Sequence, residues 1–300
     1  MEIESDQIGD SLEVTVLSES EWRAQEASYE SSLESLVSAH LARRHHGEKH
    51  PVHDFLFEYF NYRPAQLMRW SPGIHRYLGG GAASRFLSRT GFEEGAFGVG
   101  LYPSAFPEKR VRSVHWIMQL MEATQRRSPF FGCMGLHEWA MVLDEKDVRH
   151  TQFPLRMPHT DLVDFVKGQR VHCTHFDAFR FFSASARPLN RIQPNADSRE
   201  EFEQPGCLHA NMDLYKWTYK LAPWTSGSLL RDAFLLAVET REIDMRASPY
   251  DLRSLGYEPI CIETSEGKNV YARLQRQVYE QGLAVRKRLI DECKRLVNLL

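Results

Sequence analysis

Apolar positions recur at helical spacing along most of this 300-residue chain, so the pattern predicts a mostly α-helical protein. "SESEWRAQEASYESSLESLVSAHLARRHH" reads as a long first helix, with Trp22, Ala27, Leu33 and Leu36 on its inner face and an end near Gly47. In "KHPVHDFLFEYF", Pro51 suits a first helical position and makes His50 the candidate N-cap. "RPAQLMRW", "GLHEWAMVL" and "DLVDFVKG" are shorter helical segments, and "PEKRVRSVHWIMQLMEATQRR" is a strong one. Further helices are expected from Leu208 to about Leu221 (before Pro223), in "SGSLLRDAFLLAVETREIDMR" behind a Ser228 cap, and in "VYARLQRQVYEQGLAVRKRLIDECKRLVNLL". "SPYDL" restarts a turn, with Ser248 as cap, Pro249 at the first helical position and Asp251 three beyond the cap.

The remaining segments lack that period. Residues 1–18 are acidic and Ser-rich and read as a loose arm. Residues 72–106, with "GGGAASRF" and "GVGLYPSAFP", read as a long Gly-rich loop or lid. "YEPICIETSEGKNVYA" has room for one short β-hairpin near the C-terminus. With no internal repeat, 19–300 is expected to be a single large helical domain.

Composition narrows the partners. Hydrophobic residues make up 42% and the formal net charge is −3, so a core is affordable and the chain is not a polycation. That speaks against a broad nucleic-acid footprint and leaves room for a local basic groove. Five cysteines without a CxxC pair are expected to be reduced and partly buried. The N-terminus lacks the basic-then-apolar order of a signal peptide, and no apolar run reaches about 18 residues. A cytoplasmic setting with no membrane partner is the expectation. No P-loop, dinucleotide fingerprint or G-x-S-x-G elbow occurs.

Candidate chemistry lies in four hydrophobic stretches that each pair histidine with a carboxylate. They are "HPVHDFLFEYF" (His50, His53, Asp54), "GLHEWAMV" (His137, Glu138), "CTHFDAFRFF" (His175, Asp177) and "GCLHANMDLYKW" (His209, Asp213). His50–Asp54 and His209–Asp213 stand four residues apart, on one face of a helix. Ionised carboxylates are rarely buried unless paired or metal-bound, and helical proteins build metal sites from such side chains on facing helices. Local structural roles are available too. Asp177 completes a Thr174-x-x-Asp177 capping box, Asp54 complements a helix dipole, and Glu138 or Asp213 can pair with an arginine.

Several phrases, among them "HPVHDFLFEYFNYRPAQLMRW", "GCMGLHEWAMV", "HFDAFRFF", "PGCLHANMDLYKW" and "DMRASPYDL", resemble a bacterial family often labelled 3-methyladenine DNA glycosylase. The resemblance covers most of the chain. It implies a DNA-base N-glycosylase with Asp213 or Glu138 as catalytic carboxylate, and nucleic acid as partner. Such chemistry also needs an aromatic base pocket and a phosphate track, for which "RRHH", "EKRVR" and "QRR" are candidates. The order His40, His53-Asp54, His137, His175, Asp213 resembles the ligand order of HD-domain metalloproteins, which include phosphohydrolases and di-iron oxygenases.

Three functions follow as expectations. The first is a metal-dependent oxygenase or hydrolase acting on a small molecule. Its iron, manganese or zinc ligands would come from His50, His53, Asp54, His137, His175, Asp177, His209 and Asp213. Glu138 would be the general base, Asp213 a catalytic carboxylate, and Arg246 and Tyr250 would bind substrate. The second is the glycosylase. The third is a non-catalytic helical assembly protein.

Overall fold

The computed structural model describes residues 14–144 and 150–300. Most of them are helical. The first helix, α1 (Glu19–His46), is fixed at both ends by local chemistry. Ser18 and Glu21 exchange capping-box hydrogen bonds, and Gly47 closes the far end at φ 70°. Its buried seam is Trp22, Glu26, Tyr29, Leu33, Val37 and His40. That corrects the expected inner face, because Ala27 is exposed and Leu36 only half-buried.

Two short helices, α2 (Phe55–Glu58) and α3 (Pro64–Leu67), lead to a small sheet. Its strands are β1 (Thr15–Leu17), β2 (Arg76–Leu78), β3 (Phe92–Gly95) and β4 (Gly98–Leu101), in the order β1-β2-β4-β3. β1 runs parallel to β2, with Thr15 opposite Arg76; the other pairs are antiparallel. Two expectations are corrected here. Residues 72–106 are packed structure rather than bare loop, burying Leu78, Phe86 and Leu101. The last residues of the expected arm form β1 and the α1 cap, while residues 1–13 lie outside the described part. The glycines misled because they serve the packing. Gly98 sits at φ 108° against the Leu78 carbonyl, and a Cβ on Gly95 would strike the Tyr102 ring.

The rest of the chain is helical: α4 (Val111–Arg126), α5 (Leu136–Met141), α6 (His159–Lys167), α7 (Phe176–Phe179), α8 (Arg199–Phe202), α9 (Leu208–Leu221), α10 (Gly227–Arg246) and α11 (Ser265–Leu299). The expected C-terminal hairpin is absent from this region. Thr264 caps α11 at Gly267, and the close approach of Gly267 to the Cys261 carbonyl leaves no room for a side chain. The α10 cap is Ser226, whose Oγ accepts from the Leu229 N–H, and not Ser228. "SPYDL" does not begin a helix, because Tyr250 pairs with Leu155 in an isolated bridge.

α9 and α10 form the centre of the molecule, and α11 packs on both and on α4. Gly282 of α11 makes this possible, since a Cβ there would overlap the Asn211 side chain of α9. One cluster of buried apolar side chains extends from Leu17 to Leu296. No described helix is long and apolar enough to cross a membrane.

Candidate functional site

α2, α5, α7, α9 and α10 surround a cavity of about 490 Å³. Each contributes polar groups from a helix end or a mid-helix face. His137 and Glu138 open α5, which starts after Gly135 at φ 70°, close against the Tyr271 ring. His175 is the N-cap of α7, its Nδ1 accepting from the Ala178 N–H at 3.3 Å. That bond leaves the neutral imidazole's proton on Nε2. His209 lies in the first turn of α9 and Asp213 one turn further on. Arg241 and Asp244 occupy the last turns of α10.

Of the residues singled out in the sequence, His50, Asp54, His137 and Glu138 line this cavity. So do His175, Asp177, His209 and Asp213. His53 does not. It turns away to Glu242 at 3.0 Å and to the Tyr257 hydroxyl at 3.3 Å. Arg246 and Tyr250 also lie elsewhere. Arg246 donates to the Glu258 carbonyl, and Tyr250 is buried with its ring against His150.

The cavity has two polar walls. On one, His137 and His209 face the cavity and Asp244 lies buried behind them; the three offer ligand atoms that all lie within 4.8 Å of one another. The His137 and His209 rings are 4.3 Å apart, and His209 Nε2 is 3.8 Å from Asp244 Oδ2. His209 Nε2 and Asp244 Oδ1 have no hydrogen-bond partner among the described residues. Arg241 donates to Asp244 at 2.8 Å, to Glu138 at 2.6 Å and to the Pro51 carbonyl at 3.2 Å. Its guanidinium lies 4.0 Å over the Phe55 ring. Burial would raise Glu138, but Arg241 and His137 hold its carboxyl below the usual range. Asp244 is raised instead, because burial and the Glu138 charge outweigh Arg241. Burial and the neighbouring His137, His175 and Arg241 push His209 well down, so its imidazole is neutral.

The other wall is a closed ion-pair network. Lys216 bridges Asp177 at 2.6 Å and Asp213 at 2.8 Å. Arg199 reaches Asp177 at 2.9 Å and Glu203 at 3.2 Å. His175 Nε2 stands 3.3 Å from Asp213 and 3.7 Å from Glu203. Burial alone would raise both aspartates. Lys216 and His175 nevertheless hold Asp213 well below the carboxylate range, and Arg199 and Lys216 hold Asp177 down to about 2. Asp177 does not cap α7, a place His175 takes. At the rim, Asp54 accepts from His40 at 2.9 Å, from Arg43 at 2.5 Å and from the His50 N–H at 2.8 Å. Burial and the His53 and Arg43 charges lower His50 to about 4.

Sequence reading missed Arg241, Asp244, Lys216, Arg199 and Glu203. A signal for the first two was present. Phe234, Ala237, Arg241 and Asp244 share one buried stripe of α10 at helical spacing, so two charges fall where the pattern calls for apolar side chains. No protein-family model, curated protein or solved structure matches the chain.

Proposed function

We propose that this protein is a metal-dependent enzyme, an oxygenase or a hydrolase, acting on a small molecule held in the cavity. His137, His209 and Asp244 would hold one divalent ion. The observation that carries this reading is their convergence within 4.8 Å, with His209 Nε2 and Asp244 Oδ1 short of partners. Buried polar atoms without partners are costly, and a cation supplies what two such acceptors lack. Two imidazoles and one carboxylate suit iron(II), zinc or manganese. A neutral His209 has its lone pair available, and the ion would take the place of the proton that burial favours on Asp244. When bound, such an ion polarises a substrate oxygen or acidifies a water.

The remaining residues then divide the work. Arg241 fixes the orientation of Asp244 and Glu138. His175 presents an Nε2–H to the cavity, backed by the ionised Asp213, and so can donate a hydrogen bond to a substrate oxygen. Asp54 is saturated by His40, Arg43 and a backbone N–H and shapes the rim. Phe55, Tyr59 and Phe181 make that part of the lining apolar. A single helical unit in the cytoplasm belongs to the same reading.

Elemental analysis of protein purified without a tag tests it. About one ion per chain is expected, lost in His209→Ala and Asp244→Asn while far-UV circular dichroism is unchanged. A metal-free protein whose melting temperature ignores iron, zinc and manganese removes the proposal. One observation favours a second reading, DNA-base excision: the ionised Asp213 borders a cavity lined by aromatic rings. Release of alkylated bases from duplex DNA by metal-free protein, abolished by Asp213→Asn, would transfer the conclusion to it.

A further inference from the structure

The ion pairs around the cavity share an orientation. Asp54, Asp177 and Asp213 line it, whereas the cations that hold them, Arg43, Arg199 and Lys216, stand behind and do not. Each pair turns its negative end inward. Glu58 adds another carboxylate to the lining. Two side chains of lysine or arginine do face in. Lys49 lies at the solvent-exposed rim, and Arg241 is already engaged by Glu138 and Asp244. Where burial shields them from water, as it does Asp54, Asp177 and Asp213, such oriented pairs act as fixed dipoles and favour positive charge between them.

The wall already stabilises one organic cation. The Arg241 guanidinium lies on the face of Phe55 with carboxylates at its edge, a combination that recognises nitrogen cations generally. Tyr59, Phe60 and Phe181 extend the same aromatic lining. One donor faces in from the opposite wall, His175 Nε2, which is buried and has no hydrogen-bond partner among the described residues. It fits an oxygen acceptor. A volume of about 490 Å³ is far more than one metal ion needs and falls within the range of cavities that enclose small organic ligands.

We propose that the substrate is an organic cation, a protonated amine or charged nitrogen heterocycle that also carries an oxygen acceptor. Its charge sits toward Asp177, Asp213 and Glu58, and its scaffold packs on the Phe55, Tyr59 and Phe181 rings. The inference deepens the enzyme reading and rests on it in taking this cavity as the substrate's seat. It does not require the metal.

Calorimetric titration with three matched probes tests it: 2-phenylethylamine, 2-phenylethanol and phenylacetate. Each is titrated into chelator-treated and zinc-loaded protein. The amine is expected to bind roughly tenfold or more tighter than the alcohol, and phenylacetate to bind weakest. Glu58→Gln, at the exposed rim, should reduce the amine's advantage roughly two- to threefold and leave the alcohol unchanged. Asp213→Asn, with folding checked by circular dichroism, should remove most of it. Asp244→Asn should remove metal retention and keep the preference. Equal binding of amine and alcohol, tighter binding of phenylacetate, or no binding of any probe overturns the inference. A preference shown by natural protein that takes up no zinc, iron or manganese overturns the metal assignment alone. Retained metal without a preference overturns this inference alone.

Discussion

The two polar walls of the cavity are built from the same residue types and satisfied to different degrees. Around Asp213, Lys216, His175, Arg199, Asp177 and Glu203 form a network in which each carboxylate meets a cation. Around Asp244, one guanidinium serves two acids, and His209 Nε2 and Asp244 Oδ1 have no hydrogen-bond partner among the described residues. In the first, the charges are paired and order their helices and set the local field, and His175 Nε2 is the atom left without a hydrogen bond among the described residues. An unsaturated network marks where something else binds, because folding leaves few buried polar atoms unpaired. Of the two walls, the second is the place for a metal ion, and the first sets the field that a substrate meets.

The largest expected effect comes from taking away the guanidinium on the unsaturated wall. Arg241→Met leaves Glu138 and Asp244 facing each other without a cation, and breaking a buried pair in this way costs about 3–5 kcal/mol. Urea unfolding at neutral pH measures the loss. Divalent ions should recover part of it, since they would supply the missing charge. A loss under about 1 kcal/mol would mean that Arg241 is not the counter-ion that the geometry makes it.

A matched pair of substitutions sharpens the contrast. Asp213 is held ionised, so Asp213→Asn gives up a charged hydrogen bond to Lys216 and the ion pair with His175 and should cost about 1.5–3 kcal/mol. Asp244 has its carboxyl raised by burial, which favours the neutral form, and Asn resembles that form. Asp244→Asn should therefore cost less than about 1 kcal/mol while abolishing any metal-induced rise in melting temperature. Equal losses in the two variants would erase the distinction between the walls.

How much of this was readable in the sequence depended on how local the cause was. Helix ends were legible where a breaker sits on the spot, as at Gly47 and before Pro223. The sheet was not, because strands of three or four residues carry too few alternations, and Thr15–Leu17 finds its partner about sixty residues away in Arg76–Leu78. The histidine–carboxylate pairs were visible as polar residues inside apolar segments, and most of them do line one cavity. Their partners were harder to see, since Lys216 and Arg199 look like ordinary helix-surface cations and Arg241 stands out only by falling on the apolar stripe of α10. Which acids are saturated and which are not is a property of contacts between helices. No single helix displays it.

The smallest expected effect concerns the rim that joins the walls. His50 is lowered to about 4 by burial and by the His53 and Arg43 charges, from an ordinary value of 6.5. Between those two values the unfolded chain binds a proton at this position and the folded chain does not. Stability from this group is therefore fully present above pH 6.5, falls as the pH drops toward 4, and changes little below that. Other histidines also titrate: His209 acts in the same direction, while His175, raised by Glu203 and Asp213, opposes it. The difference between the natural protein and His50→Gln isolates the rim. Urea midpoints taken at half-unit steps from pH 7.5 to 4.5 should show the natural protein losing more stability than the variant over that interval. Parallel curves would mean that His50 is as well solvated in the fold as in the unfolded chain, and the rim would then be too open to keep water from the ion pairs behind it.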